Sequence, residues 1–187
     1  MKKNGFVLLL LACFSLVLFS VAHADVIINE VMASARSGLS DEDGEFSDWV
    51  ELYNDGKETV NLSGWGFTDS KKDLYKFTFP EGAKIKGGEY LTIWCTGEEN
   101  KTPGKDKVFY ADFKISSAGE KLRLTDPDEN EIQKLEMPPQ YGCVSYGLPT
   151  DGGEYGFFEN PTRGKKNDRS AFSYRAAEPE ILTAAGF

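Results

Sequence analysis

The 187-residue sequence is acidic, since 30 Asp and Glu residues against 21 Lys and Arg residues give a formal net charge of −9 at pH 7. This balance argues against free nucleic acid as a partner, because phosphate binding depends on a basic patch that releases counterions. The one local basic cluster, formed by Arg163, Lys165, Lys166 and Arg169, is interpreted as part of a solvated linker.

The first 24 residues have the form of an export signal. Lys2 and Lys3 precede an apolar run that closes with Ala22-His23-Ala24, a small-x-small sequence typical of signal-peptidase sites. We therefore predict that residues 1–24 are a cleaved signal peptide and that the protein is secreted or held in the cell envelope. The protein would contact the membrane only through its signal peptide, before that peptide is cleaved. A retained anchor and lipidation at Cys13 are the lesser alternatives, because the run is short for a membrane span and continues past Cys13.

Cleavage would remove the single histidine, His23. Without the two lysines of the signal, the mature chain would hold 19 basic and 30 acidic residues, a net charge of −11. A chain without histidine cannot run a Ser-His-Asp or Cys-His mechanism or present a histidine-based zinc site. Cys95 and Cys143 would be the two remaining cysteines. They are candidates for a disulfide in an oxidising compartment, and two buried free thiols are the alternative.

Short runs of alternating apolar and polar residues predict an antiparallel β-sandwich. Residues 49–54, 75–79 and 121–125 each have the period of two that is typical of a half-buried strand. Residues 90–95 are apolar on both faces apart from Thr92, which predicts a central strand. Clusters of Gly, Pro, Asn and Asp separate these runs and favour tight turns. We expect almost no helix before residue 165.

The composition changes beyond residue 162, from alternating strands to charged and small residues. We therefore predict a sandwich domain over residues 25–164, followed by a linker that begins at residue 165. Within residues 165–187, the last stretch resembles the first strand of a further β-module, so the chain is a candidate fragment of a longer protein.

Several motifs resemble those of the lamin tail domain family and occur in the order found there. They are Val26 to Ser34 (VIINEVMAS), Asp48 to Asn54 (DWVELYN), Asn61 to Trp65 (NLSGW), Gly119 to Asp126 (GEKLRLTD), Val144 to Gly147 (VSYG) and Phe158 to Gly164 (FENPTRG). The sequence resembles the bacterial exported type over residues 25 to about 167. This resemblance implies an all-β, immunoglobulin-like antiparallel sandwich that serves as a non-catalytic accessory module. Members of this type often stand beside kinase-like or nuclease domains.

The densest acidic segment offers candidate calcium ligands in Asp41, Asp43 and Glu45, because calcium prefers carboxylate oxygens. A solvated loop between the first two strands is the alternative. The segment that begins at Asp126 starts like a calcium-binding loop but has Glu131 where glycine is needed. It also has Met137 where a bidentate glutamate is needed, so we predict a hairpin turn there. No other cofactor is expected.

Glu30, Glu51 and the acidic loop are the candidates for a pair of carboxylates that hydrolyses glycosides, but carboxylates are common on exposed strand faces and no convergent site is indicated. We therefore expect no enzyme. Five aromatic residues near the C-terminal end either fill the core or form a sugar-binding row: Tyr141, Tyr146, Tyr155, Phe157 and Phe158.

Taken together, these patterns predict a non-catalytic extracellular interaction module that attaches to a protein or a cell-surface polymer. A carbohydrate-binding module and a calcium-dependent adhesion module are the alternatives, followed by an accessory domain of a larger enzyme. An exposed, flat row of aromatic side chains would favour a sugar ligand. A long unguarded strand edge or an exposed apolar patch would favour a protein partner.

Overall fold

The computed structural model describes residues 26–98, 108–150, 153–168 and 171–173. The predicted signal peptide and the final residues of the predicted linker lie outside these ranges. Every regular element in the described part of the chain is a β-strand, which confirms the predicted all-β fold class. Within the same residues, there is no helix of the length and apolar character that crossing a membrane requires.

Twelve strands build the fold. The first six are β1 (Val26–Met32), β2 (Asp48–Asn54), β3 (Val60–Asn61), β4 (Gly66–Thr68), β5 (Phe77–Thr78) and β6 (Lys84–Ile85). The second six are β7 (Tyr90–Cys95), β8 (Val108–Ala111), β9 (Glu120–Thr125), β10 (Glu131–Met137), β11 (Ser145–Gly147) and β12 (Gly156–Phe158).

The strands form a large sheet, a small sheet and a short ribbon. The large sheet has six strands in the order β12-β11-β1-β2-β7-β8, and the small sheet has four in the order β10-β9-β4-β5. The ribbon pairs β3 with β6. All pairings are antiparallel except that of β7 with β8, which is parallel. The sandwich is therefore antiparallel, as predicted, apart from one edge of the large sheet.

The main core lies between the two sheets. Leu52 and Ile93 from the large sheet are fully buried in one cluster with Phe67, Leu122 and Leu124 from the small sheet. Their neighbours along each strand point to the opposite side, since successive side chains of a strand alternate between its faces. The predicted central strand is confirmed, because β7 lies between β2 and β8 and has residues buried on both faces.

The outer face of the large sheet carries a second apolar cluster. Met32 pairs with Trp49, and Trp49 pairs with Trp94, in a row across three strands. All three side chains are buried, although they lie outside the main core. The two tryptophans are therefore buried as predicted, but on the side of the sheet where an isolated sandwich would expose them. A further segment of the chain must cover this face.

Two predicted elements differ from the structure. The run 75–79 forms a strand only at Phe77–Thr78, because Tyr75 lies in a turn from which its hydroxyl donates to the Asp126 carbonyl at 2.7 Å. Residues 131–137 form β10, which the alternation did not indicate. A bulge between Glu131 and Gln133 shifts the register against β9, and this shift breaks the period of two.

Candidate functional site

Residues 159–168 lie across the outer face of the large sheet, and we call this segment the strap. Its backbone and side chains make hydrogen bonds with residues of β1 and β2 that are more than 100 positions earlier in the sequence. Contacts with the sheet therefore extend past residue 164, after which we predicted the linker to begin. Asn167 is only 6% exposed, and Phe172 forms an antiparallel bridge with Phe157.

Glu30 on β1 binds the first part of the strap. Its carboxylate accepts hydrogen bonds from the backbone N–H of Thr162 at 3.0 and 3.1 Å and from the Thr162 hydroxyl at 2.9 Å. It also accepts from the hydroxyl of Ser145 on β11 at 2.5 Å. Burial raises the pKa of Glu30, and the hydrogen bonds from Ser145 and Thr162 oppose that rise. The carboxylate has its acceptor positions filled by the protein itself.

Glu51 on β2 binds the middle of the strap. One of its oxygens accepts from the Asn29 amide at 2.8 Å, and the other accepts from the backbone N–H of Gly164. Burial raises the pKa of Glu51 to about 8, and the nearby charge of Glu30 adds to the rise. The guanidinium of Arg163 lowers it in part. Alternation placed both glutamates on the outer face, where we expected solvent, and the strap buries them instead.

Asn167 closes the far end of the strap. Its amide nitrogen donates to the Asn29 carbonyl at 3.2 Å and to the Leu148 carbonyl at 2.8 Å. Its amide oxygen accepts from the Asn29 amide at 2.9 Å and from the Thr162 hydroxyl at 3.0 Å. All four hydrogen-bonding positions of this buried amide are thus used. Asn29 is available for two of these bonds because it is the extra residue at a bulge in β1, between Ile28 and Glu30.

Arg163 lies over the second apolar cluster. Its guanidinium carbon is 4.7 Å from the centre of the Trp94 ring, which is the geometry of a cation–π contact. Burial lowers the pKa of Arg163, and the nearby carboxylates of Glu51 and Glu42 oppose that effect. Arg163 was assigned to a solvated basic cluster in the sequence, whereas its side chain covers a buried tryptophan.

These contacts decide what the pair Glu30 and Glu51 can do. Glycoside hydrolysis needs two carboxylates that flank a substrate, with room for a sugar or a water between them. Both side chains here are fully buried under the strap and accept hydrogen bonds from it. The arrangement is that of a buried polar network that attaches one segment to a sheet.

The predicted calcium ligands do not converge. No group of three or more acidic, histidine or cysteine side chains suited to a metal ion occurs among the residues the structure describes. Asp41 accepts from the backbone N–H groups of Asp43 and Glu45, each at 3.0 Å, and from the Ser47 hydroxyl at 3.3 Å. Its carboxylate therefore stabilises the turn of its own loop, and the calcium site at Asp41, Asp43 and Glu45 stays a prediction.

The candidate disulfide between Cys95 and Cys143 is not formed in the structure, where both thiols are free. Cys95 points into the main core, where burial raises its pKa well above the usual value. Cys143 is half-buried in the loop before β11, and its sulfur is 3.1 Å from the Ser37 hydroxyl. The two thiols thus have different surroundings. The contact with Ser37 lowers the pKa of Cys143.

The aromatic residues near the C-terminal end pack against one another and the core. Phe157 and Phe158 are buried, and Phe157 contacts the rings of Tyr141 and Tyr146. Tyr155 stacks on Tyr146 and donates from its hydroxyl to the Ile28 carbonyl at 2.5 Å. These aromatic side chains therefore fill the core, which is one of the two predicted alternatives. They do not form the flat exposed row that a sugar-binding surface would need.

The large apolar side chains that are exposed in the described residues belong to one loop. Leu39 is 38% exposed and Phe46 is 48% exposed, and both lie in the connection between β1 and β2. The acidic segment 41–45 lies between them in sequence. The loop thus presents two apolar side chains on either side of a run of negative charge.

The family comparison decides the classification. The family model described as Lamin Tail Domain matches residues 20–138, which is more than half of the chain. The chain belongs to the lamin tail domain family. The match includes β1 to β10, whereas the strap follows it in the sequence. Lamin tail domains are non-enzymatic structural domains. This agrees with a site in which the carboxylates of Glu30 and Glu51 accept hydrogen bonds from the protein itself.

One curated relative is an animal protein. Lamin-C of Drosophila melanogaster is 38% identical over 69 residues, a stretch that covers 34% of this chain and 11% of that protein. The chain therefore spans about a tenth of the length of this relative. The similarity supports the assignment of the chain to the lamin tail domain family.

Proposed function

We propose that this lamin tail domain is a non-catalytic interaction module of an exported protein and that it attaches its host to a protein partner. The observation that carries the proposal is the loop between β1 and β2, which exposes Leu39 and Phe46. Exposed apolar side chains grouped on one loop are typical of a surface that binds another protein.

The charge of the loop indicates the chemistry of the partner. Glu42, Asp43 and Glu45 are all exposed, and they lie between the two apolar side chains in sequence. A complementary partner would present an apolar patch with lysine or arginine beside it, because opposite charges steer association and suppress wrong partners. The proposal of export rests on the sequence of residues 1–24, and the free nucleic acid class remains disfavoured by the net charge.

Export is tested on the full chain in its own host. Protein recovered outside the cytoplasm is subjected to N-terminal sequencing and intact mass measurement. We expect a mature N-terminus at Asp25. A chain that is found only in the cytoplasm, or that keeps its first 24 residues, would contradict the proposal.

Partner binding is tested with a photo-crosslinking amino acid in place of Phe46 in the same full chain. The control carries it in place of Lys121, an exposed residue on β9 of the small sheet. We expect one protein to crosslink at position 46 and not at position 121. Leu39→Ser with Phe46→Ser should abolish that complex and leave the unfolding temperature nearly unchanged, because both side chains are exposed. Equal crosslinking at both positions would rule out this surface.

A further inference from the structure

A cavity of about 420 Å³ opens on the outer face of the large sheet, at the end of the strap away from Trp94. Its volume lies in the range of sites for small ligands, which is roughly 300–1,000 Å³. Its apolar walls are Ile27, Leu148 and Pro149. The cavity is distinct from the loop that carries Leu39 and Phe46, so it is separate from the proposed protein-binding surface.

Two tyrosines form one wall of this cavity. Tyr53 and Tyr90 are direct partners on β2 and β7, with ring centres 4.7 Å apart and ring planes 25° from parallel. Both side chains are half-buried. Because the two rings stack on each other, the pair offers ring edges and an outer ring face, with hydroxyl groups beside them. It suits a ligand that has both an apolar face and hydroxyl groups.

The charged residues at the cavity further define the ligand. Asp55, which follows β2, and Lys166, in the strap, both line it and are exposed. One carboxylate and one ammonium group give no net charge, so an anionic or cationic ligand gains no general attraction. A neutral ligand rich in hydroxyl groups can donate to the carboxylate and accept from the ammonium group.

The base of the cavity is already ordered. Asn29 and Asn167 line it, their side chains are bonded to each other, and the Asn167 amide also donates to the Leu148 carbonyl. A ligand that binds here would not have to order these groups, and a preorganised site keeps more of its interaction free energy as affinity. The strap therefore builds the cavity as well as covering the sheet.

We infer that this cavity binds a neutral oligosaccharide, with one sugar ring against Tyr53 and Tyr90 and with hydroxyl groups bonded to Asp55 and Lys166. Sugars present C–H groups on one face and hydroxyl groups at the edge, and this pattern matches the wall and the charged residues. The inference adds a second ligand class to the proposed protein partner. It depends on Tyr53, Tyr90, Asp55 and Lys166, whereas the proposed protein-binding surface depends on Leu39 and Phe46.

The experiment uses the full chain purified from its host, applied to an array of neutral and acidic oligosaccharides. Neutral hits are then measured by isothermal titration calorimetry, with cellotetraose and chitotetraose as fixed probes. We expect binding to neutral glycans, weakened about tenfold by Tyr90→Ser, which removes a ring contact. Tyr90→Phe should keep most of the affinity, because it preserves the ring.

Lys166→Gln should also weaken binding, whereas the matched control Lys165→Gln should not, because Lys165 is exposed but does not line the cavity. Leu39→Ser with Phe46→Ser should leave sugar binding intact, so the two proposals can fail separately. The unfolding temperature of each variant shows that it is folded. The inference would be overturned by the absence of any neutral glycan from the array hits, by binding to acidic glycans alone, or by unchanged affinity in folded Tyr90→Ser.

Discussion

Glu30 and Glu51 are directly opposite each other on β1 and β2, and both are fully buried. Like charges in this position repel each other, and burial removes the water that would screen them. The strap donates an N–H and a hydroxyl of Thr162 to Glu30 and the N–H of Gly164 to Glu51, which reduces the cost of burying both carboxylates. The remaining cost appears as raised pKa values for both groups.

The raised pKa of Glu51 predicts that the domain becomes less stable as the pH rises. In the unfolded chain the pKa is near 4.5, and in the folded domain it is about 8. Between these values the folded state binds more protons than the unfolded state, so the free energy of unfolding falls with increasing pH. The contribution of Glu51 to stability is fully present below about pH 4.5 and should decrease by on the order of a few kcal/mol by pH 8.5. Urea unfolding at pH 5, 7 and 8.5 measures this change.

Glu51→Gln is the control for this dependence. Its amide does not ionise, so the slope of stability against pH should become shallower over the same window. The raised pKa of Glu30 acts in the same direction and should leave part of the slope. An increase in the urea midpoint from pH 5 to pH 8.5 in the unmodified protein would refute the assignment.

Removal of the Asn167 side chain should loosen the strap. Asn167→Ala leaves Asn29 and the Leu148 carbonyl without their partner in a buried site, which costs about 2–3 kcal/mol of folding free energy. Hydrogen exchange at the Thr162 amide should speed up, because this amide is held by Glu30 within the same network. Lys165→Ala is the matched control, since its exposed side chain should change stability by less than about 0.5 kcal/mol. Equal effects of the two substitutions would show that the strap is not held by Asn167.

The sequence predicts those parts of the fold that depend on local pattern. The bounds of β7 agree with the apolar run Tyr90–Cys95, because a strand buried on both faces leaves a continuous apolar stretch. The hairpin turn at Asp126 is also confirmed, with its carboxylate accepting from the backbone N–H groups of Asp128 and Asn130. In both cases the residues that determine the structure lie within a few positions of each other.

The strap was missed because its partners are distant in the sequence. Asn167 bonds to a residue 138 positions away, and Gly164 bonds to one 113 positions away. The change to charged residues after residue 162 therefore indicated a linker. One sequence feature could have indicated the strap. Glu30 and Glu51 form a polar pair on the outer face of adjacent strands, next to tryptophans that need to be covered. An alternating strand shows which face a residue occupies, but not whether a later segment covers that face.

Gly147 on β11 is paired with Glu30 on β1 and has no room for a side chain, so Gly147→Ala should destabilise the domain. An added Cβ would be 2.6 Å from the Asn29 carbonyl oxygen and 3.1 Å from the Glu30 Cα, both backbone atoms that cannot move independently. We expect a loss of about 1–3 kcal/mol, measured by urea unfolding. Gly142→Ala provides the control, because its nearest contacts are side-chain atoms of Arg36 at 3.8 and 3.9 Å. A Gly147→Ala variant as stable as Gly142→Ala would contradict this packing.

The two cysteines should differ in reactivity. Contact with the Ser37 hydroxyl lowers the pKa of Cys143, and burial raises that of Cys95. Since the thiolate is the reactive form, a thiol reagent at pH 7.5 should modify Cys143 in the folded protein and Cys95 only after unfolding. Ser37→Ala should slow the reaction at Cys143, while Ser116→Ala should not, because the Ser116 hydroxyl accepts from the Ala118 N–H instead. Peptide mapping by mass spectrometry identifies the modified residue, and recovery of a Cys95–Cys143 disulfide would contradict the prediction.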